Sequence, residues 1–321
     1  MRLSTILRLL IAVALTALIL WRSDPAAIWA ALSQTAWPWL AGACLLVVAD
    51  RALMASRWIA LLRPVGDTLP SGFTLARIFF VSTFVGTFLP PTVGSDAVRA
   101  WSLAREGTSG SGALASVLLD RLLGVISILL TAVLGLALLP DMLRETWVDI
   151  ALAAAAIGCA CALAVVFSTR LDDLLRRTLV RLPGRWHGPL DRVLDALQAY
   201  RGERTMLVQV LTASVIVQIL RVAQAWMLGH SLGITLPLFS YLAAIPIILL
   251  VMLLPVAPAA IGTSQWAFML AFRRFGVPDA LSIALSVLFV ALGVVGNLPG
   301  GLFYIFGRAP ARRPAAGAPP T

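Results

Sequence analysis

Apolar residues in this chain come in long runs. Near residues 5–21, 37–62, 112–139, 147–167, 206–232 and 280–306 the runs reach about 18 residues or more, enough for a helix to cross a hydrocarbon core of about 30 Å. Two further runs behave differently. Residues 73–89 lead into Pro90 and Pro91, and residues 238–254 lead into Pro255 and Pro258. Each is followed by a glycine and a second, shorter apolar stretch. The alternation expected of a membrane β-barrel is absent. The pattern predicts an all-α polytopic membrane protein with about six full transmembrane helices and two interrupted segments.

One extended polar segment divides the chain, from Ser168 to Thr205. It contains eight arginines, interleaved with Asp172, Asp173, Asp191, Asp195 and Glu203. "LDDLLRRTLVRL" and "PLDRVLDALQAY" have helical apolar spacing on either side of "PGRWHGP". They predict two amphipathic helices lying on the membrane surface. The last residues, 308–321, are rich in Pro, Ala and Gly and are expected to form a disordered tail beyond a membrane domain of residues 1–307. At the other end, Arg2 and Arg8 precede an apolar run to Trp21, as in a signal peptide. Arg22, Ser23 and Asp24 follow it, with no small-x-small cleavage site, so an uncleaved first helix is expected.

Composition agrees with this picture. Of 321 residues 60% are hydrophobic and 12% charged, against about 25% charged in a soluble domain. The formal net charge is +10, and every basic residue is arginine. In so apolar a chain this excess is expected to orient the protein in the membrane rather than to bind nucleic acid.

The arginines test the topology. With the N-terminus inside and all eight apolar segments crossing, the eight-arginine loop would fall outside, against the positive-inside rule. If the two proline-interrupted segments instead turn back to the side they entered from, 17 arginines lie inside and 4 outside, with Arg51, Arg57, Arg121 and Arg221 within spans. Both termini and the 168–205 loop are then cytoplasmic, in the inner (cytoplasmic) membrane.

The two re-entrant segments resemble each other. "FLPPTVGSDAVRAW" and "LLPVAPAAIGTSQWAF" share Leu-Pro, a second proline, an aliphatic–Gly pair, small polar residues and a returning helix. This suggests an inverted repeat, the alternative being two unrelated proline kinks. Breaks of this kind in transporters mark the substrate site, because interrupted backbone at membrane depth must line protein or a cavity. Pro90, Gly94, Pro258 and Gly262 open the backbone. Ser95 and Thr263 are the expected N-caps of the returning helices, whose free N–H groups suit an anion such as phosphate. Arg99, one turn beyond Ser95, would add a charge-assisted bond. Asp96 would hold Arg99 or bind an amine.

Other ionisable residues fall inside spans: Asp50–Arg51, Asp120–Arg121 and Arg221. Such charges are costly and face the bundle interior. Asp120–Arg121 reads as functional. Asp50–Arg51 reads equally as site or as structural pair, with Arg51 and Arg57 snorkelling to an interface as the bland explanation. Arg221 has no carboxylate within a turn of its own helix, which makes it an anion-binding candidate. Gly293, Gly296, Gly300 and Gly301 are expected to pack helices closely, with Asn297 and Pro299 as a local break. Trp21, Trp37, Trp39 and Trp147 sit near span ends as interface anchors. Cys44, Cys159 and Cys161 are buried apolar residues by position. No metal or cofactor site, nucleotide-binding loop or paired acid–base motif is visible, so no enzymatic activity is expected.

"VGTFLPPTVGSDAVRAWSLAREG", "LLDRLLGVISI" and "LPVAPAAIGTSQWAFMLAFRRFGV", in this order, resemble the transmembrane region of lysylphosphatidylglycerol synthases, a flippase-like family. The first matches Phe-x-x-Leu-Pro-x-x-x-Gly-Gly-Asp-x-x-Arg, with Ser95 in place of the second glycine. The second matches an Asp-Arg-x-x-Gly helix. The third departs from its pattern: Thr263 to Trp266 stand where Gly-x-Arg-Glu is usual. The resemblance spans about residues 40–306. It implies a stand-alone translocase that moves an anionic or amino-modified lipid between leaflets, with membrane lipids as its partners. The alternative is a non-transporting accessory subunit of a lipid-modifying, hopanoid or glycolipid enzyme.

Overall fold

The computed structural model describes residues 33, 36–65, 69–88, 94–139, 146–168, 176, 184–253 and 261–306. Among them are ten α-helices, which we number α1 (Trp37–Leu61), α2 (Gly72–Gly86), α3 (Gly94–Arg105), α4 (Gly110–Leu138), α5 (Thr146–Phe167), α6 (Gly184–Gln198), α7 (Arg204–Ser231), α8 (Leu238–Leu253), α9 (Ile261–Arg273) and α10 (Asp279–Phe306). Helices α1, α4, α7 and α10 are long and apolar enough to cross a membrane. They coincide with four of the expected spans, and the 22-residue α5 lies where a fifth was expected. The chain is a multi-pass α-helical membrane protein. The expected first span, the first amphipathic helix (apart from Arg176), the tail, Pro90 and Pro258 lie outside the described residues.

Local signals place several ends. Ser71 caps α2 by accepting from the Thr74 amide at 3.3 Å, and Ser109 caps α4 by accepting from the Gly112 amide at 3.1 Å. Pro38 sits in the first turn of α1, where its missing N–H costs nothing. Helix α6 begins at Gly184 and runs through Pro189, so the expected break at "PGRWHGP" is absent from its described residues. Helix α10 runs unbroken through Asn297 and Pro299. The expected break is absent there; Asn297 instead donates to Thr87 Oγ1 at 2.8 Å.

Two groups of four helices correspond in length and order. Helices α1, α2, α3 and α4 have 25, 15, 12 and 29 residues; α7, α8, α9 and α10 have 28, 16, 13 and 28. Their packing corresponds as well. Helix α2 packs on α10 as α8 packs on α4. Pairs α2–α3 and α8–α9 form the two hairpins, and α3–α4 matches α9–α10. Helices α1 and α7 pack on each other and run antiparallel. The Ala36 amide donates to the Ser231 carbonyl at one end of this seam, and Tyr200 Oη donates to the Leu61 carbonyl at the other. The two halves are therefore inverted copies meeting along α1 and α7.

Glycine marks two of these correspondences. Gly107, between α3 and α4, and Gly276, between α9 and α10, both have positive φ, of 102° and 73°, which favours glycine at both turns. A Cβ on Gly135 of α4 would lie 2.3 Å from the Leu242 carbonyl oxygen of α8. One on Gly300 of α10 would lie 1.9 Å from the Phe80 carbonyl oxygen of α2. The long helix of each half thus approaches the other half's hairpin backbone to backbone.

The apolar cores differ between halves. Around the first hairpin, Trp58, Phe79, Leu75 and Leu103 are buried. Around the second, Tyr241, Ala244, Ile245, Ile248 and Val251 of α8 join Phe268, Phe272 and Leu285 in a larger apolar cluster.

Candidate functional site

The first hairpin closes tightly below its tip. A Cβ on Gly86 of α2 would lie 2.4 Å from Ser95 Cβ and 2.7 Å from its Cα. Only glycine on α2, and a small residue on α3, permits this approach. Helix α3 starts at Gly94, so Ser95 falls inside the first turn instead of capping it, and its hydroxyl donates to Asp96 Oδ1 at 3.4 Å. Thr263 likewise falls inside α9, which starts at Ile261. In both cases the helix begins earlier than the small polar residue suggested.

Beyond this point α3 presents two charges to α4, and the two helices exchange partners. Asp96 Oδ2 accepts from Arg121 Nε at 2.6 Å, and Arg99 Nη1 donates to Asp120 Oδ2 at 3.2 Å. Asp96 does not bond Arg99. On a helix, i and i+3 share a face, so Asp96 and Arg99 both look at α4, where consecutive Asp120 and Arg121 diverge enough to meet one each.

The exchange extends to α1 and α7. Arg57 Nη2 lies 2.7 Å from Asp120 Oδ1, an ion pair, and Arg57 Nη1 donates to Ser214 Oγ at 2.9 Å. Arg99 Nε donates to Ser82 Oγ at 3.4 Å, and its guanidinium lies over the rings of Phe79 (4.6 Å) and Trp58 (5.2 Å). Asp120, Arg57 and Arg99 are 6%, 6% and 4% exposed. Among the described residues, one carboxylate thus sits between two guanidinium groups inside the bundle, leaving one positive charge unbalanced. Arg57 Nε and Trp58 Nε1 are buried donors without an acceptor among the described residues. Arg121 is the open member, with its side chain 37% exposed. At one edge Tyr200 lies in a short 3-10 turn. Burial, and secondarily the Asp120 carboxylate, hold its phenol above the ordinary value, so it remains the donor to Leu61.

Arg57 is not a snorkelling residue. Its side chain is held at both ends inside the bundle, because Asp120 and Ser214 compensate it better than a reach to the interface would. Sequence reasoning left it out of the site; the only trace was its position seven residues after Asp50, on the same helical face.

Arg221 is placed apart from this cluster, and it is not unpaired. Its Nε lies 3.3 Å from Asp50 Oδ1, a carboxylate 171 residues away in sequence and therefore invisible to a search within one helix. Arg51 Nη1 lies 3.3 Å from Asp50 Oδ2. The expected site residues therefore divide: Gly94, Ser95, Asp96, Arg99, Asp120 and Arg121 come together at the first hairpin, Arg221 joins Asp50 and Arg51, and Gly262 and Thr263 lie in the second hairpin.

The second hairpin lacks a matching charge. Counted from the glycine, Asp96 and Arg99 correspond to Ser264 and Ala267, which are 1% and 5% exposed, with Ala267 in the apolar core. Packing there leaves no room for an arginine, so the polar site belongs to one half of the inverted pair.

Two short-helix hairpins, a buried cationic cluster and an inverted repeat define a multi-pass helical membrane protein with a charged centre. The sequence model of the lysylphosphatidylglycerol synthase transmembrane region matches residues 5–300, and the chain belongs to that family. No curated protein and no solved structure matches it.

Proposed function

We propose that the chain translocates an anionic or amino-modified lipid between leaflets of the inner membrane without covalent chemistry. The observation that carries this reading is the Arg57–Asp120–Arg99 cluster, whose extra positive charge is buried behind a re-entrant hairpin. A net charge at membrane depth is costly, and a phosphate oxygen entering past the more open Arg121 would relieve it while acyl chains stay in lipid. Asp96, released from Arg121, would then be available to a headgroup amine. The family membership supports a link to lipid modification or translocation. Both termini and the 168–205 segment face the cytoplasm in this reading, which follows from the arginine distribution. Arg176 is already paired with Asp191 and Asp195, which favours a self-compensated surface helix over a free basic docking face for an enzyme.

The experiment is reconstitution in liposomes with a panel of headgroup-labelled lipids and an impermeant quencher. Loss of inner-leaflet signal faster than in protein-free liposomes, for at least one phosphodiester lipid, is expected. No acceleration for any lipid, together with co-purification of a lipid-modifying enzyme, would replace translocation by the accessory role.

A further inference from the structure

The second charged cluster repeats the arithmetic of the first. Asp50 is 2% exposed and lies between Arg51 and Arg221, each 3.3 Å away. Again one carboxylate meets two guanidinium groups, and one positive charge is unbalanced. The cluster is held rigidly. Arg51 Nη2 donates to the Gly293 carbonyl at 3.2 Å, and its Nη1 lies 3.4 Å from Met54 Sδ. A Cβ on Gly296 would stand 3.1 Å from Arg51 Nε, so the glycines of α10 make the channel in which Arg51 lies. Arg221 Nη2 lies 3.2 Å from the same Met54 sulfur. Among the described residues, two buried donors here have no acceptor: Arg51 Nε, and Gln224 Nε2 one turn along α7 from Arg221. Unsatisfied donors beside unbalanced positive charge call for an anion.

The place of this cluster also matters. Asp50 is near the middle of α1, and Arg57 is seven residues on, roughly 10 Å along the axis. Between them the antiparallel seam is polar. Ser214, Gln218 and Arg221 follow one another on α7 at helical spacing, and Gln218 Nε2 donates to Ser127 Oγ at 3.1 Å while its Oε1 is buried and unpaired. Arg51 reaches α10 at Gly293, one turn from Asn297, which holds Thr87 at the end of α2. The second cluster therefore lies beside the inner end of the first hairpin.

We infer that Asp50, Arg51 and Arg221 form a second anion station, separate from Arg57–Asp120–Arg99, and that each station takes one monoanionic phosphodiester group. One excess positive charge per station matches one phosphodiester and leaves a dianionic phosphomonoester overcharged. Two equal stations about 10 Å apart let a headgroup leave one as it meets the next. The role in translocation rests on the function proposed above; the binding does not.

The test is equilibrium binding to the detergent-purified full chain, read by native mass spectrometry and calorimetry. The probes are dihexanoyl phosphatidylglycerol, a soluble monoanionic phosphodiester, and dihexanoylglycerol, which has the same acyl chains and no phosphate. Two phosphatidylglycerol molecules per chain are expected, with binding at least about tenfold weaker for dihexanoylglycerol, which lacks the phosphate and so the charge-assisted contact that accounts for that factor. Arg221→Gln should retain one site and Arg99→Gln the other, and the double variant neither. Arg221→Gln should melt no lower than the parent, because it leaves Asp50–Arg51 balanced, so a lost site is not lost folding. A single site in the parent chain, equal binding of both lipids, or two sites retained in Arg221→Gln would overturn the inference. Two sites without transport would sink the translocation reading alone, and transport with one site would sink the second station alone.

Discussion

Arg99 on α3 and Asp120 on α4 form a buried ion pair at 3.2 Å, while the neighbours Asp96 and Arg121 form another at 2.6 Å. The reciprocal pairing locks the returning arm of the first hairpin to a full span. It also uses every local charge except one: Arg57 shares Asp120 with Arg99. That surplus links the structure to an anionic ligand.

Removing the shared carboxylate should be costly. Asp120→Ala leaves Arg57 and Arg99 facing each other, and breaking a buried pair costs roughly 3–5 kcal/mol. Thermal unfolding in detergent should show a large loss, smaller in the Asp120→Leu/Arg99→Leu double variant, which removes charge of both signs. If the double variant is no more stable than Asp120→Ala, the pairing is not what holds this region.

The exchange between α3 and α4 predicts a rescue. Asp96→Arg and Arg121→Asp should each lower stability modestly, since this pair is partly exposed and such pairs are worth about 1 kcal/mol or less. Together the two substitutions restore opposite charges across the α3–α4 contact. A double variant that melts no higher than either single one would show that the contact is incidental.

The inverted repeat predicts equivalent sensitivity at Gly135 and Gly300. An added methyl meets a carbonyl oxygen in both cases, and backbone cannot yield as a flexible side chain does. Gly135→Ala and Gly300→Ala should each cost about 1–3 kcal/mol. Gly158→Ala on α5, where a Cβ meets nothing within 4 Å, is the control. Normal melting of either variant would remove that close approach from the account.

These contacts also show what the sequence made legible. Hydropathy and two pairs of prolines located α1, α4, α7, α10 and both hairpins within a few residues, because span length and helix breakers are local properties. The likeness of the two hairpins pointed to an inverted repeat, which the packing of α2 on α10 and α8 on α4 bears out. Partner choice was not legible. Asp50–Arg51 and Asp120–Arg121 are the same dipeptide, yet Asp50 binds its own neighbour and Asp120 binds Arg99. Arg57 bonds Ser214 and Arg221 bonds Asp50 across more than 150 residues, contacts that exist only once α1 and α7 lie side by side. The N-caps expected at Ser95 and Thr263 fall inside helices that already include Gly94 and Ile261.

The central claim is that the surplus positive charge at Arg57–Asp120–Arg99 carries an anionic headgroup through the membrane. Its most direct test is the translocation rate of headgroup-labelled phosphatidylglycerol in liposomes containing the parent chain or Arg99→Gln, each confirmed folded by its melting curve. The account predicts transport above protein-free liposomes for the parent chain, and a rate lowered by about tenfold or more in Arg99→Gln, as loss of one charge-assisted contact implies. Equal rates in the two proteins would contradict it.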